Sequence, residues 1–355
     1  MYYCFHPATK EKAFDHFIEN VQDIGDLLSD ATVPNISRLK RKIDDSQIHS
    51  IIFNIDAVAG QKDDKQKITT IFFNQFNAFR GYNPTNIPLA VLLEKHLDEL
   101  GVFDYFKDDI KDKYGKSWED NATTLASLKL NDILQMAQKY DKELDIEALS
   151  AKLRDPDDIT ISDNLIPEFN EYLLKQSDNY KLIFMIDEVS QYIGKNTNLL
   201  LNLQTIIEEI GANCNNKIWV ACTAQQLLEE LIESSEMQGD DFGKILGRFE
   251  TRISLESQDA AYITQKRILD KESSAVGELT DFYTRNKDAI TNQYVFAYDL
   301  YKGYEHRDEF LMAYPFIPYQ FRLIADVFES FSNLEYVIKE VKDNERSALA
   351  ITHFT

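Results

Sequence analysis

Apolar and polar positions along the first half of the chain have the spacing of amphipathic helices. Between Lys10 and Leu28 the apolar residues recur every three or four positions, which places them on one stripe of a helix. A second, more polar helix is expected after Pro34. Further on, helical segments bounded by Gly, Pro, Asn or Asp are predicted at 65–79, 88–100, 119–127, 130–141 and 162–175.

Short apolar runs predict the strands. They lie at Ser50–Asp56, Tyr180–Glu188, Lys217–Thr223 and Thr251–Leu255, with helices expected at 198–210 and 224–233 between the last three. These runs lack the alternation of a half-exposed strand, so both faces of the sheet are expected to be covered. Because strands separated by amphipathic helices form parallel sheets, the predicted fold class is α/β with a parallel sheet core.

The same patterns divide the chain into four predicted parts. Residues 1–64 hold the first helices and strand of the α/β core, and 65–178 form a large helical insertion. Residues 179–257 return to the core, and 258–355 form a helical, lid-like domain. Asp155–Asp158 is the clearest loop, and we expect a seam between subdomains there.

Composition excludes several classes of protein. Apolar residues make up 44% of the chain and charged residues 28%, as in globular domains. No run approaches the length of about 18 apolar residues that indicates a membrane helix, so no membrane association is expected. The cysteines, Cys4, Cys214 and Cys222, include no CxxC pair and cannot form a closed disulfide set. These features predict a cytoplasmic protein.

The charge balance argues against nucleic acid as a partner. The chain has 38 Lys and Arg against 60 Asp and Glu, a net charge of −22, which repels phosphate backbones and anionic membranes. One local exception is the run RLKRK at Arg38–Lys42. We interpret it as a solvated helix end, with a small nucleic-acid patch as the alternative. Direct DNA binding by this chain is therefore not expected.

Two acids, Asp187 and Glu188, close the longest apolar run. In a parallel sheet the carboxyl ends of the strands open onto the ligand crevice, so both carboxylates would lie at its mouth. This is the layout of a Walker B strand, in which the first acid can hold Mg²⁺, usually through water. The second acid can orient or deprotonate the water that attacks a γ-phosphate. The alternative is a strand that ends in a solvated acidic turn.

Two later segments fit the same chemistry. The next apolar run ends at Thr223, where a residue that senses the γ-phosphate would lie. Arg248 and Arg252 flank the start of the following predicted strand, where oligomeric nucleotide hydrolases place an arginine finger that stabilises transition-state charge. Taken singly, each arginine is explained by pairing with Glu250 or Glu256. Their order after an acid pair and a threonine favours a nucleotide site.

The loop that would cradle the phosphates is missing from the sequence. Such a loop requires G-x-x-x-x-G-K-[ST], with glycines that allow close backbone approach and a lysine that reaches the phosphates. The single G-K-[ST] match, Gly115–Ser117, has Ile110 at the first glycine position and follows a helical segment, so we interpret it as a decoy. The six histidines form no HExxH motif, which disfavours a zinc site.

Several segments, taken together, point to a family. They are FMIDEVSQYIG (184–194), WVACTAQQ (219–226), GRFETRISLES (247–257), YPFIPYQFRLI (314–324) and NERS (344–347). This combination resembles the large P-loop ATPase of BREX phage-defence systems, the BrxC/PglY type, whose last segment reads Gly-Glu-Arg-Ser. Ile51–Asp56 is similar to the strand that follows the family's P-loop helix. The resemblance runs from about residue 50 to the end and is weakest across 65–175.

The resemblance implies a P-loop NTPase fold of the AAA+ type, related to the origin-recognition branch. It also implies ATP and Mg²⁺ as cofactors, a homo-oligomeric parent protein and other defence-system proteins as partners. The family's roles map by position onto Asp187 (Mg²⁺ acid), Glu188 (catalytic glutamate), Thr223 (sensor), Arg248 (finger, with Arg252 as the other candidate) and Arg346 (lid arginine on phosphate).

Two functions stay open at this point. Family members carry their phosphate loop upstream of where this chain begins, so we expect either a fragment of a longer protein, which the chain's boundaries favour, or a degenerate relative. One function is part of an ATPase, in which ATP and Mg²⁺ bind only when the missing loop is supplied. The other is a non-enzymatic protein-interaction scaffold. The missing loop favours the scaffold for this chain alone, whereas Asp187, Glu188, Thr223 and Arg248 favour the ATPase for the parent.

Overall fold

In the computed structural model the described residues are 10–23, 32–59, 66–194, 196–224, 251, 253, 264–265, 268–293 and 303–332. The chain divides into two compact units, residues 1–250 and 251–355. The described part is mixed α/β and mostly helical, and its one sheet has three strands and lies in the first unit.

The sheet consists of β1 (Gln47–Asn54), β2 (Tyr180–Asp187) and β3 (Ile218–Cys222) in the order β1-β2-β3. Both neighbouring pairs are parallel, as predicted. Asn54 pairs with Asp187, and Ile186 pairs with Cys222. The carboxyl ends of all three strands therefore meet at one edge, with β2 in the middle.

The first unit contains α1 (Lys10–Asp23), α2 (Thr32–Asp44), α3 (Ile55–Ala59), α4 (Ile68–Arg80), α5 (Ile87–Leu89, a π-helical turn Ala90–Glu94 and Lys95–Glu99), α6 (Phe103–Tyr114), α7 (Trp118–Leu128), α8 (Leu130–Gln138), α9 (Ile146–Arg154), α10 (a π-helical turn Ile161–Leu165 and Ile166–Leu174), α11 (Val189–Ile193) and α12 (Thr197–Asn213). The five helices predicted between residues 65 and 175 are confirmed to within three residues at each end.

The first strand differs from its prediction. It was expected at Ser50–Asp56, but β1 begins at Gln47 and ends at Asn54, and Ile55 and Asp56 already belong to α3. The backbone N–H of Ala57 donates to the Asn54 side-chain oxygen (3.0 Å), so Asn54 acts as a helix cap directly after the strand.

One face of the sheet is covered by aromatic side chains from α4 and α10. Phe184 on β2 lies with its ring centre 4.9 Å from that of Phe72 on α4 and 5.6 Å from that of Phe169 on α10. All three side chains are fully buried. The first and last helices of the predicted insertion, α4 and α10, therefore belong to the core of the sheet.

The opposite face of the sheet is covered less completely than expected. Met185 on the central strand is buried, but Ile52 on β1 is 53% exposed and Trp219 on β3 is 59% exposed. Burial on this face is therefore confirmed for Met185, whereas Ile183 on the same strand is partly exposed and the two residues on the flanking strands are exposed.

Helices α5 to α9 enclose a second hydrophobic core, which includes Leu93, Phe106, Trp118 and Ile133. The loop predicted at Asp155–Asp158 joins α9, which packs on this second core, to α10, which packs on the sheet. The loop therefore lies where the chain passes from one core to the other, inside the single unit of residues 1–250.

A partly buried ion-pair network links the two cores. Arg80 at the end of α4 and Lys95 on α5 both bind Glu168 on α10, at 2.6 and 2.7 Å. Lys95 also binds Glu171 at 2.5 Å, and Lys175 binds Glu171 at 3.3 Å. Because Glu168 is enclosed and faces two cations, its charge is paired rather than left isolated inside the protein.

The second unit contains α13 (Ser273–Gln293), α14 (Arg307–Ala313) and α15 (Pro318–Ser332). Tyr283 and Phe310 pack at the centre of its small core, with ring centres 5.3 Å apart. Pro318 begins α15, as its suitability for the first turn of a helix predicts.

The predicted helix 224–233 and strand 251–255 lie, apart from residues 224, 251 and 253, outside the described residues. Among the described helices, none is both long and apolar enough to cross a membrane.

Candidate functional site

Asp187 and Glu188 lie at the carboxyl end of the central strand. The side chains of β2 are buried at Tyr180, Leu182 and Phe184–Ile186, whereas the last residue, Asp187, is exposed. Glu188 follows with φ 61° and ψ 32°, a left-handed conformation that L-residues other than Asn and Asp rarely adopt. This turn ends the strand and begins α11, so the two consecutive acids lie at a sharp change of chain direction.

Thr223, the first residue after β3, is bonded to the same turn. Its N–H donates to the Ile186 carbonyl (2.9 Å), and its carbonyl accepts from the Val189 N–H (3.2 Å). Its hydroxyl donates to the Asp187 carboxylate and accepts from the Glu188 N–H at 3.3 Å. The structure therefore brings together the three predicted residues Asp187, Glu188 and Thr223.

Asn54, at the end of β1, is a member of this cluster that the sequence analysis missed. Its side-chain amide donates a hydrogen bond to a Glu188 carboxylate oxygen. Its side-chain oxygen caps α3 through the Ala57 N–H, as described above. An asparagine that directly follows an apolar run and precedes Ile-Asp-Ala is a helix-cap signal, and this signal could have identified it.

The cluster formed by Asn54, Asp187, Glu188 and Thr223 presents two carboxylates at one sheet edge, since the Asn54 oxygen caps α3 and the Thr223 hydroxyl is bonded to Asp187 and Glu188. In the described part of the chain no group of three His, Cys, Asp or Glu side chains is placed to hold a metal ion by itself. Mg²⁺ is usually held by one or two carboxylates together with water and substrate phosphates. The donor set therefore fits Mg²⁺ bound jointly with a phosphate ligand, and not a cage made by protein alone.

Three arginines were also predicted for this site. Arg248, Arg252 and Arg346 lie outside the described residues. Their assigned roles as fingers and lid arginine therefore stay predictions.

The G-K-[ST] match has the structure of a connection between two helices. Gly115 ends α6 in the left-handed conformation (φ 71°) that glycine adopts readily. Ser117 caps α7, and its hydroxyl accepts from the Asp120 N–H at 3.2 Å. The segment therefore follows a helix and not a strand, which agrees with its interpretation as a decoy.

Cys222 lies beside the cluster but is poorly suited to nucleophilic chemistry. Burial raises the pKa of its thiol to about 12, so the thiol stays protonated at neutral pH. The polar side chains of the cluster, and not this thiol, are therefore the chemically competent groups at this edge.

The basic run has the surface expected of a solvated helix. Arg38, Arg41 and Lys42 are exposed on α2, while Lys40 pairs with Asp15 of α1 at 2.8 Å. Three exposed cations contribute little against the net charge of −22.

No protein-family profile matches the chain, and no solved structure matches it. The resemblance to BREX ATPases therefore stays a prediction made from the residues.

Proposed function

We propose that the first unit provides the hydrolytic edge of an AAA+-like ATPase of the BREX phage-defence type. In this proposal Asp187 holds the Mg²⁺ ion and Glu188 orients the attacking water. The observation that supports it is the convergence of Asn54, Asp187, Glu188 and Thr223 at the carboxyl ends of three adjacent parallel strands. This is the edge of an open α/β sheet at which ligands bind.

The position of the acids suits this chemistry. Asp187 is exposed at the carboxyl end of β2, so its carboxylate is accessible to a hydrated metal ion. The Glu188 carboxylate is half-buried and fixed by Asn54, so it is held next to the metal position without entering the core. Mg²⁺ bound with ATP would neutralise the phosphate charge that develops during hydrolysis.

The proposal requires a phosphate-binding loop that these 355 residues do not contain. ATP and Mg²⁺ are therefore assigned as cofactors only where such a loop is supplied. In the assembled protein, Arg248 or Arg252 would reach a neighbouring subunit's nucleotide, and Arg346 would contact phosphate from the lid-like domain. Homo-oligomerisation, other defence-system proteins as partners and a cytoplasmic location complete the proposal.

A second candidate function is a protein-interaction scaffold without enzymatic activity. Two observations favour it: the sequence lacks the loop, and the hydroxyl of Thr223 and the amide of Asn54 are already bonded to the two acids. A scaffold derived from a nucleotide hydrolase could keep this cluster because it fastens the ends of the strands together.

ATP binding, measured by calorimetry with Mg²⁺, tests the ATPase proposal. The chain of 355 residues and a longer chain extended upstream of Met1 are compared. Binding by the longer chain alone is the expected result. Absence of binding by both, with no G-K-[ST] loop in the upstream sequence, would overturn the proposal in favour of the scaffold.

Glu188→Gln in the longer chain tests the assignment of the catalytic acid. The substitution keeps an oxygen that accepts from Asn54 but removes the charge that activates water, so ATP binding should persist while turnover is lost. Glu147→Gln, at an exposed position of α9, is the matched control and should leave turnover unchanged. Full turnover in Glu188→Gln would show that the assignment is wrong.

A further inference from the structure

We infer that Thr223 is a positioning residue that orients the Asp187 carboxylate for its metal ion, and that it does not contact the phosphate directly. The inference rests on the proposed function. Thr223 was predicted to sense the γ-phosphate. Here it is inferred to orient Asp187, the carboxylate proposed to hold Mg²⁺.

The first argument is that every polar group of Thr223 already has a partner. Its N–H and carbonyl bond to Ile186 and Val189, and its hydroxyl bonds to Asp187 and Glu188. A hydroxyl has one proton to donate, and here that proton goes to the Asp187 carboxylate. To donate to a phosphate oxygen, Thr223 would have to give up this bond.

The second argument concerns the Asp187 carboxylate itself. Its Oδ1 atom accepts from the Thr223 hydroxyl, and it shares the Glu188 N–H with that hydroxyl, at 3.1 Å to Oδ1 and 3.3 Å to the Thr223 oxygen. Two donors on one oxygen fix the plane of the carboxylate, and they leave Oδ2 for a metal ion or for water bound to it. Hydrogen-bonding partners of this kind orient metal-binding side chains and are worth on the order of 10- to 100-fold in metal affinity.

The third argument is that Thr223 is itself held firmly. Cys222, the preceding residue, pairs with Ile186 in the ladder between β2 and β3. The Thr223 N–H continues this ladder by one more bond to the Ile186 carbonyl (2.9 Å). The hydroxyl therefore projects from a backbone that is fixed relative to Asp187, which is the requirement for an orienting group.

The experiment measures the binding of Mn²⁺, as a probe of the metal position, to the chain extended upstream of Met1 in the presence of ATP, because the donor set at this edge fits a metal ion that is bound jointly with phosphate. Paramagnetic broadening of the Glu188 amide signal is followed at about 150 mM salt, which screens the many surface acids. Asp187→Asn identifies the part of the broadening that belongs to this site. Thr223→Ser keeps the hydroxyl, whereas Thr223→Val and Thr223→Ala remove it, and thermal unfolding shows which variants are folded.

Thr223→Ser should bind Mn²⁺ as the unaltered chain does, and Thr223→Val and Thr223→Ala should bind it on the order of tenfold more weakly. Equal Mn²⁺ affinity in all four chains would overturn the inference and leave the proposed function intact. If the unaltered chain shows no broadening that depends on Asp187, the metal role of Asp187 and this inference both fail. A difference between Thr223→Ser and Thr223→Ala supports the inference whatever the chain's ATPase activity, and a folded Thr223→Ala keeps the test decisive if Thr223→Val does not fold.

Discussion

The side-chain amide of Asn54 donates to the carboxylate of Glu188, and this bond joins the ends of two strands that are far apart in sequence. Asn54 also caps α3, so one side chain supports both the acid and the turn that follows its own strand. The choice of substitution at Asn54 therefore decides how the electrostatic surroundings of Glu188 change. The amide can be removed, or it can be replaced by a second carboxylate.

Asn54→Asp should destabilise the fold in a pH-dependent way. Aspartate keeps the oxygen that caps α3, but it places a carboxylate against that of Glu188, and like charges at this distance raise the pKa of the pair. Because that pKa is raised in the folded state, the penalty is full above it and disappears as the pair takes up a proton. The expected loss is about 1–2 kcal/mol at pH 7, recovering towards pH 4.5. Urea unfolding at both pH values measures it.

Asn54→Ala is the matched comparison. It removes the helix cap and the amide without adding charge, so it should cost about 1 kcal/mol at both pH values. Identical pH profiles for the alanine and aspartate variants would contradict the contact between Asn54 and Glu188.

Glycine should be more stabilising than alanine at position 188. The backbone there is left-handed (φ 61°), a conformation that costs residues with a Cβ atom about 1–2 kcal/mol. Glu188→Gly and Glu188→Ala both remove the carboxylate, so their difference in free energy of unfolding reports the backbone alone. We expect the free energy of unfolding of Glu188→Gly to exceed that of Glu188→Ala by about 1 kcal/mol.

Thr205 in α12 provides the control for this comparison, because it lies exposed within a regular helix. There Thr205→Ala should be more stable than Thr205→Gly, by about 1 kcal/mol in the free energy of unfolding. A more stable alanine variant at both positions would mean that residue 188 is not left-handed in solution.

The ion-pair network should contribute stability that is lost in acid. Partial burial raises the pKa of Glu171, but hydrogen bonds from Lys95 and other neighbours outweigh this effect and lower the pKa from 4.5 to about 2. A lowered pKa in the folded state means that Glu171 stabilises the fold above pH 4.5 and that this contribution disappears as the pH falls towards 2. Glu171→Gln should therefore be less stable than the unaltered chain at pH 7, by less than about 1 kcal/mol because the side chain is half exposed.

Urea unfolding at pH 7, 4 and 3 measures this effect as the difference between the unaltered chain and Glu171→Gln. The difference should shrink at each step towards low pH. Glu147→Gln, at an exposed position on α9, should show no such trend. A difference that stays constant down to pH 3 would count against the ion pair between Lys95 and Glu171.

The central strand and its acids could be predicted because their pattern is local. The run from Tyr180 to Ile186 is apolar enough to identify a buried strand, and Asp187 and Glu188 end it abruptly. Parallel pairing then places Thr223 beside them, because β2 and β3 are adjacent in sequence order and in the sheet. The first step uses residues that are close in sequence, and the second uses the rule that strands separated by one helix pair in parallel.

Asn54 could not be placed by the same reasoning. The run Ser50–Asp56 reads as one strand, since β-branched Ile55 fits a strand as well as the helix that it begins. The strand ends at Asn54 because the side chain there accepts the Ala57 N–H, and this contact is specific to the folded turn. The packing of α4 and α10 against the sheet also depends on contacts such as that between Phe72 and Phe184. The spacing of apolar residues in the sequence does not predict which side chains make these contacts.

The separate core of helices α5 to α9 has a consequence for how the sheet is assembled. β1 and β2 are neighbours in the sheet, yet residues 55–179 lie between them, and closing a loop of that length costs entropy before any strand pair forms. A helical subdomain with local contacts folds quickly, and once folded it shortens the flexible loop that remains to be closed. We therefore expect α5 to α9 to fold early and to bring together the flanking helices α4 and α10, where the ring centres of Phe76 and Phe169 are 4.9 Å apart, before Asn54 reaches Glu188.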